Sequence, residues 1–187
     1  MVVDSRGSFS VLTQFKFLFG DSFTLLLREG QLVVRLSDPN SLLPLIRLLK
    51  LSLLFRFSRL QDLFSVDYPQ RAIRFEVNYL LNSPFHNCNL LIQLSTPDGV
   101  PSLVQLYPNA NWLEREVWDL YGVFFYNHPD LRRILTDYGF SGFPLRKDFP
   151  LVGFEEVRYD EQTKKVVLDP VEFSQEYRYF DFKSPWL

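Results

Sequence analysis

Glu116, Asp119 and His128 are the side chains best suited to chemistry in this chain. The two carboxylates are three residues apart and share one helix face, where an imidazole could join them in proton transfer or metal binding. Metal sites need about three or four converging ligands, however, and the only other histidine, His86, lies in a distant predicted loop. Arg115 stands four residues before Asp119 and can pair with it directly on an exposed helix face. We therefore favour ion pairs, with His128 in a structural turn, over catalysis or metal binding.

Glycine and cysteine usage argues against a resident cofactor. Only eight glycines occur, and none has the Gly-x-Gly-x-x-Gly spacing of a dinucleotide-binding loop. An iron–sulfur cluster is held by about four cysteines, whereas the chain has one, Cys88. A single cysteine forms no internal disulfide, so nothing implies an oxidising compartment. The sequence predicts that this chain carries no cofactor.

Basic pairs lie among aromatic residues downstream, a pattern that can bind single-stranded nucleic acid. The pairs and the rings between them are Arg132-Arg133, Arg146-Lys147, Tyr138, Phe140 and Phe143. Aspartates flank both pairs, and a pI of about 5.7 with a net charge of -2 gives no field that attracts nucleic acid. Arginine and aromatic side chains are also enriched in protein interfaces. The residues alone leave partner docking and internal ion pairs equally open.

A helix from Asn111 to Tyr121 must position the acidic residues. Asn111 is a suitable N-cap, and Glu114 stands where the glutamate of a capping box belongs. Gly122 is placed to end the helix in the left-handed conformation. Replacing Asn111 by alanine is therefore expected to cost about 1 kcal/mol through loss of the cap. The apolar stripe of the helix is formed by Leu113, Val117, Leu120 and Tyr121.

Shorter elements are predicted near the N-terminus. Ser10–Gly20 fits helix and strand about equally well, and we favour helix. Two β-like runs, Phe23–Arg28 and Gln31–Leu36, flank Glu29-Gly30, which is typical of a hairpin turn.

A leucine-rich helix follows the hairpin. It begins after Asp38-Pro39 or, because Pro44 must lie in its first turn, at Ser41 as the N-cap. The most apolar window, Leu42–Phe57, contains three basic residues and so does not predict a transmembrane span. The apolar face of the helix is formed by Leu42, Leu45, Ile46 and Leu49.

Three strands are predicted next, at Phe57–Val66, Arg71–Leu81 and Leu90–Leu94. Apolar and polar residues alternate in the second, which predicts an antiparallel strand with one buried and one solvated face. The apolar members are Ile73, Phe75, Val77 and Tyr79, and the polar members are Arg74, Glu76 and Asn78.

The chain becomes irregular after Pro129, although Val157–Tyr159 and Val166–Leu168 predict a late hairpin. Clustered antiparallel strands with segregated helices predict an α+β fold. We expect residues 1–150 to form a two-layer domain, with a mixed, mainly antiparallel sheet and helices packed on it. Residues 151–187 are expected to form a long, irregular and extended C-terminal tail.

Several motifs together resemble one known family. Glu114-Arg-Glu116, Asp119-Leu-Tyr-Gly-Val123 and His128-Pro-Asp-Leu-Arg-Arg-Ile-Leu135 look like the signature of the thirty-kilodalton, or C-type, subunit of respiratory complex I, NADH:ubiquinone oxidoreductase. The resemblance is strong from about Val66 to the C-terminus and weak before it. Further matching segments are Val66–Pro69, Arg74–Tyr79, Asp137–Phe140, Pro144–Pro150, Glu156–Asp160 and Tyr177–Phe182.

This resemblance implies a subunit of the peripheral arm with no redox centre and no active site of its own. FMN, the iron–sulfur clusters and ubiquinone would belong to partner subunits. The implied partners are the large subunit that frames the quinone site and the small subunit that holds the terminal iron–sulfur cluster. Structural and docking roles would fall to Glu114, Arg115, Glu116, Asp119, Gly122, His128, Pro129, Arg132, Arg133, Arg146, Lys147, Asp148 and Arg178.

The resemblance also implies a location on the matrix side of the mitochondrial inner membrane. The N-terminus has no recognisable signal sequence, which leaves an organelle-encoded or a processed chain. We expect the segment from Asp169 to Leu187 to extend onto the quinone-site subunit, with Arg178 as a charged anchor. The alternatives are a tail folded back on its own sheet and, for the whole chain, a free-standing soluble interaction module.

Overall fold

The computed structural model describes residues 23–28, 31–36, 38–97, 99–173, 175–176 and 178–186. The helix predicted at Ser10–Gly20 and the turn predicted at Glu29-Gly30 lie outside these residues. Two compact units are present, one ending at Asp148 and the other beginning at Phe149. None of the described helices is long and apolar enough to cross a membrane.

A five-stranded mixed sheet organises the first unit. In spatial order its strands are β1 (Phe23–Arg28), β2 (Gln31–Leu36), β5 (Cys88–Thr96), β4 (Phe75–Ser83) and β3 (Arg59–Asp67). Neighbours pair antiparallel except β2 and β5, which run parallel. The predicted α+β class and the mixed, mainly antiparallel sheet are therefore confirmed.

Helix α1 (Leu42–Leu51) buries the predicted leucine-rich face. A 3₁₀ turn, Pro39–Ser41, precedes it, and a side-chain oxygen of Asp38 caps that turn by accepting from the N–H of Asn40 at 3.0 Å. Ser41 is the N-cap by position, although its hydroxyl donates back to the carbonyl of Asp38 rather than capping the helix. The side chains buried from this helix are Leu42, Leu45, Ile46 and Leu49.

The predicted solvated face of β4 is wrong. Glu76 is 7% exposed and Asn78 only 1% exposed. Gln93, on the neighbouring strand β5, donates to the Oε1 of Glu76 at 3.2 Å and to the Oδ1 of Asn78 at 3.0 Å. Arg71 donates to the other oxygen of Glu76 at 3.1 Å. Because Gln93 on the neighbouring strand and Arg71 in the turn before β4 satisfy these polar groups, the groups can be buried at little cost.

Helix α2 (Ala110–Tyr121) lies between two strands of three residues that pair in parallel. These are β6 (Gly99–Pro101) and β7 (Phe124–Tyr126). Such short strands show no detectable periodicity, so the sequence did not predict them. Their pairing brings the chain back after α2 to the residues that precede it.

The second unit contains the predicted hairpin, formed by β8 (Glu155–Asp160) and β9 (Lys165–Pro170). The side chains of Arg158 and Asp169 form an ion pair across it. Among residues 171–173, 175–176 and 178–186 there is no helix or strand. The large side chains exposed in this segment are Phe173, Tyr179, Phe180, Phe182 and Trp186.

Candidate functional site

Gly122 ends helix α2 as the sequence predicts. Its φ of +76° is left-handed, and its N–H donates to the carbonyl of Trp118 at 2.9 Å. A Cβ on Gly122 would lie 2.5 Å from Nη2 of Arg146 and 2.6 Å from Cζ of Phe143. The residue therefore serves two purposes, since it supplies the left-handed conformation and the space into which a later segment packs.

The start of α2 differs from the prediction. The helix begins at Ala110, its N-cap position is Asn109, and no side-chain cap bond forms there. The side chain of Asn109 instead donates to the carbonyl of Leu60 at 2.8 Å. Asn111 lies inside the first turn, so its predicted cap is wrong and the predicted cost of Asn111→Ala loses its physical basis.

Glu114 is fully buried and does not close a capping box. Its carboxylate turns away from the helix and accepts from the hydroxyl of Ser102 at 2.6 Å and from the N–H of Leu103 at 2.7 Å. Burial raises the pKa of Glu114 to about 7, although these two hydrogen bonds oppose the shift. The carboxyl thus ties α2 to the segment that follows β6.

His128 confirms the predicted structural turn. Its Nδ1 accepts from the N–H of Asp130 at 3.1 Å, which leaves the hydrogen on Nε2. That nitrogen faces the carbonyl of Asn111 at 3.4 Å and Oε2 of Glu114 at 3.8 Å. Burial holds the pKa of His128 below its usual range. A neutral, buried imidazole therefore anchors the chain after β7 onto the first turn of α2.

Replacing Glu114 by glutamine should change how stability depends on pH. The folded-state pKa of Glu114, about 7, exceeds the ordinary value of 4.5. The contribution of Glu114 to the stability of the fold is therefore complete below pH 4.5 and is lost as the pH rises through 7. The loss is on the order of 3 kcal/mol. Urea unfolding at pH 5 and pH 8 should show that the rise in pH weakens wild type relative to Glu114→Gln, because both proteins share the opposite contribution of His128. Equal pH dependence in both proteins would contradict the burial-driven protonation of Glu114.

Asp119 is also fully buried, which contradicts the predicted exposed face. One oxygen accepts from the backbone N–H groups of residues 134, 135 and 136 at 3.1, 2.7 and 2.9 Å. The other accepts from the hydroxyl of Thr136 at 2.6 Å and lies 3.4 Å from Nη1 of Arg133. Burial would raise the pKa of Asp119, but the hydrogen bonds outweigh it and hold the pKa below the usual range.

Arg115 does not pair with Asp119, so that prediction is also wrong. Its Nε donates to the carbonyl of Arg132 at 3.1 Å, and its guanidinium lies 5.2 Å from the centre of the Trp112 ring. The loop after β7 folds over this side of the helix and supplies backbone groups to both charged side chains. Those bonds explain why two charges can be buried on a face that the hydropathy pattern assigns to solvent.

A second network holds the segment that ends the first unit. Arg74 donates twice to Asp67, at 2.6 and 2.8 Å, and twice to Asp148, both at 3.0 Å. The N–H of Lys147 donates to the same Asp67 at 2.8 Å. Arg146 donates from Nε to the carbonyl of Tyr121 at 2.7 Å, at the end of α2. Residues 146–148 are thus bound to the end of β3, to the residue that precedes β4 and to the end of α2.

The signature residues other than Gly122 therefore divide into two groups. Bonds within the chain use Glu114, Arg115, Asp119, His128, Arg133, Arg146 and Asp148. The side chains at the surface are those of Glu116, Pro129, Arg132, Lys147 and Arg178. Of the surface group, Arg132 forms an ion pair with Asp130 at 3.0 Å. Within the described ranges, no three His, Cys, Asp or Glu side chains converge as a metal site requires.

An aromatic strip beside this region, formed by Tyr126, Phe124, Trp118 and Phe143, was not predicted from the sequence. Successive ring centres are 5.2, 5.9 and 6.1 Å apart in edge-to-face contacts. Phe124 is 43% exposed and Tyr126 is 46% exposed, because both point outward from β7. The sequence shows only three consecutive aromatic residues here, and their alternating exposure appears only in the structure.

Known proteins resemble this chain across most of its length. The sequence profile of a family described as "Respiratory-chain NADH dehydrogenase, 30 Kd subunit" matches residues 36–155. The NADH dehydrogenase (ubiquinone) iron-sulfur protein 3 of Oryza sativa subsp. japonica is 56% identical over 152 residues, covering 80% of each chain. The NADH-ubiquinone oxidoreductase subunit 9 of Acanthamoeba castellanii is 56% identical over 138 residues, covering 74% of this chain and 71% of the relative.

A solved structure shares the fold. A chain of the membrane-bound sulfane sulfur reductase, an archaeal respiratory membrane complex, superposes with a TM-score of 0.67 and 22% identity. The match covers 78% of this chain and 86% of that one. The family profile and the identities of 56% confirm what the signature motifs predict. This chain belongs to the family of 30-kDa subunits of respiratory-chain NADH dehydrogenase.

Proposed function

We propose that this chain is a cofactor-free structural and assembly subunit of the peripheral arm of NADH:ubiquinone oxidoreductase. It has no active site of its own, and the other subunits carry electrons from NADH to ubiquinone. The observation that carries the proposal is the internal use of the ionisable signature residues. Glu114, Asp119 and Arg146 each bind groups on distant segments of the chain. These contacts support a framework role better than a catalytic one.

The framework joins three parts of the chain. The loop after β7 is fixed to α2 through Asp119 and His128, and residues 146–148 are fixed to the sheet through Asp67 and Arg74. Side chains held by several hydrogen bonds lose little further freedom on binding. A surface built on this framework can hold neighbouring subunits in register, where small displacements of redox centres matter.

The partners we propose are the large subunit that frames the quinone site and the small subunit that holds the terminal iron–sulfur cluster. Two surface features support a docking role in this region. One is the aromatic strip, since partly exposed tryptophan, tyrosine and phenylalanine are the usual anchors of protein interfaces. The other is the group of exposed charges at Glu116, Arg132 and Lys147, which can form ion pairs with a partner.

The C-terminal residues extend the proposed contacts. Tyr179, Phe182 and Trp186 are almost fully exposed within the chain, and Arg178 is exposed beside them. Exposed aromatic side chains contribute most to binding when they are buried in pockets on another protein. We propose that residues 151–187 dock on the quinone-site subunit. For a mitochondrial host, the complex would lie at the inner membrane with this subunit on the matrix side.

Blue-native electrophoresis of a host that expresses the tagged chain tests this proposal. We expect the wild-type chain in the large complex. A chain that ends before Val171 should lose incorporation, because residues 171–187 no longer dock. The truncated chain should keep nearly the same melting temperature, because the aromatic side chains it loses are exposed.

The purified chain provides the second measurement. Stoichiometric iron or flavin, or NADH oxidation by the chain alone, would contradict the cofactor-free role. Migration of the wild-type chain only as a small free protein would instead favour a free-standing interaction module. Normal assembly of the truncated chain would remove the docking role of the C-terminal residues and leave the rest of the proposal standing.

A further inference from the structure

The turn that follows α1 exposes leucines while it buries phenylalanines. Phe55 and Phe57 are both 1% exposed and enter the core. Leu53 and Leu54, which come just before them, are 78% and 54% exposed, and Leu51 at the end of the helix is also exposed. The two phenylalanines already anchor the turn, so the fold has no need of large apolar side chains on its outer side.

This turn has a fixed shape. The N–H groups of Arg56 and Phe57 donate to the carbonyls of Ser52 and Leu49, both at 3.1 Å. The hydroxyl of Ser83 donates to the carbonyl of Phe55 at 3.0 Å and so connects the turn to the end of β4. Arg56 has a φ of +48°, which is unfavourable for a residue with a side chain. The leucines are thus held in place before any partner binds, which lowers the entropy cost of binding.

The charged residues in the segments that carry these leucines are of one sign. Segments 47–59 and 84–87 contain Arg47, Lys50, Arg56 and Arg59 but no aspartate or glutamate, in a chain whose net charge is -2. The three arginines are exposed, and none forms an ion pair with another described residue. The guanidinium of Arg56 stacks 4.3 Å from the centre of the exposed Phe85 ring. These segments therefore combine exposed apolar side chains with arginines that have no ion pair within the described part of the chain.

The exposed residues of this turn and of the segments beside it, which we call the leucine–arginine surface, are Leu48, Leu51, Leu53, Leu54, Phe85, Arg47, Arg56 and Arg59. We propose that it docks an apolar segment of another subunit that carries aspartate or glutamate beside its apolar side chains. This inference rests on the proposed function as a subunit of a larger complex. It adds a docking surface made by residues that are not part of the signature motifs.

The chemistry favours a protein over an anionic lipid surface. Lipid headgroups require positive charge and apolar side chains but no particular geometry. The strained, hydrogen-bonded turn and the stacked Arg56–Phe85 pair fix both position and direction, which is what a specific protein contact uses. Carboxylates of the partner would meet arginines that have no other charged partner among the described residues, and bidentate pairs of this kind add specificity.

Photo-crosslinking in the assembled complex identifies the occupant. The full chain carrying p-benzoylphenylalanine in place of Leu53 is incorporated, irradiated in the complex and analysed by mass spectrometry. We expect a crosslink to a partner-subunit peptide in which acidic residues adjoin apolar ones. Crosslinks to lipid alone, to a peptide without acidic residues, or to no other molecule would each overturn the proposal.

Paired substitutions test the charge complementarity. Leu53→Asp with Leu54→Asp should reduce incorporation about tenfold, because carboxylates would face the carboxylates of the partner. Changing the same two positions to lysine removes the same apolar contact, but the lysines would attract the carboxylates of the partner. This matched variant should therefore be incorporated clearly better than the aspartate variant. Melting temperatures of both purified variants should stay near that of wild type, since both side chains are exposed.

The outcomes separate this inference from the proposed function. Equal incorporation of the aspartate variant and wild type would overturn the inference alone, as would equal losses in the aspartate and lysine variants. Absence of the wild-type chain from the complex would instead overturn the proposed function on which the inference rests.

Discussion

Asp119→Ala is expected to be among the most damaging single substitutions in the chain. The wild-type carboxylate accepts from three consecutive backbone N–H groups and from Thr136, and it lies beside Arg133. Alanine would leave these donors and one cation without their acceptor in a buried position. The free energy of unfolding should fall by about 3–5 kcal/mol, the range observed when one partner of a buried charge pair is removed.

Glu116→Ala is the matched control for this experiment. The residue lies three positions earlier on the same helix and is exposed, so its removal should change the free energy of unfolding by no more than about 0.5 kcal/mol. Urea denaturation of both purified variants at pH 7 provides the comparison. Similar midpoints for Asp119→Ala and Glu116→Ala would mean that the contacts of Asp119 contribute little to stability.

Gly122→Val is expected to be the second severe substitution. Positive φ costs a residue with a side chain about 1–2 kcal/mol, and β-branching makes that conformation still less favourable. The added carbon would also clash with Phe143 and with the guanidinium of Arg146, which binds the last turn of α2. Overpacking of this kind adds about 1–3 kcal/mol, so we expect a total loss of several kcal/mol in urea denaturation.

Gly139 allows the two causes to be separated. Its φ of +78° nearly equals that of Gly122, but a Cβ there meets no atom within 4 Å. Gly139→Ala should therefore cost only the conformational strain, whereas Gly122→Ala should cost the strain and the clash. Equal losses from the two alanine substitutions would show that Phe143 and Arg146 move aside freely and do not pack tightly against Gly122.

Local patterns in the sequence predicted the elements whose causes are local. The buried face of α1 follows from the spacing of its leucines, and the end of α2 follows from Gly122. The β8–β9 hairpin follows from two short apolar runs. Each of these three features depends on residues that are close together in the sequence. The sequence of the segment itself therefore contains the required information.

The candidate site depends on contacts that no local pattern contains. Hydropathy assigns Glu114 and Asp119 to solvent, yet both are buried and accept from backbone donors on other segments, those of Asp119 in the loop after β7. The partners of Asp148 and of the N–H of Lys147 lie 74 and 80 residues earlier in the chain. The family resemblance predicts the signature residues, but only the three-dimensional contacts distinguish those bound internally from those left at the surface.

The parallel pairing of β2 with β5 has a consequence for synthesis on the ribosome. Arg35 and Gln93 are directly opposite in this pairing, although 58 residues separate them. The N-terminal hairpin therefore cannot join the sheet until β5 has left the exit tunnel, and closing so long a loop slows the step further. During that interval the leucines of α1 lack the complete sheet that covers them in the folded chain. Nascent chains should thus need a chaperone until about Thr96 has emerged, and binding should end once β4 and β5 have paired.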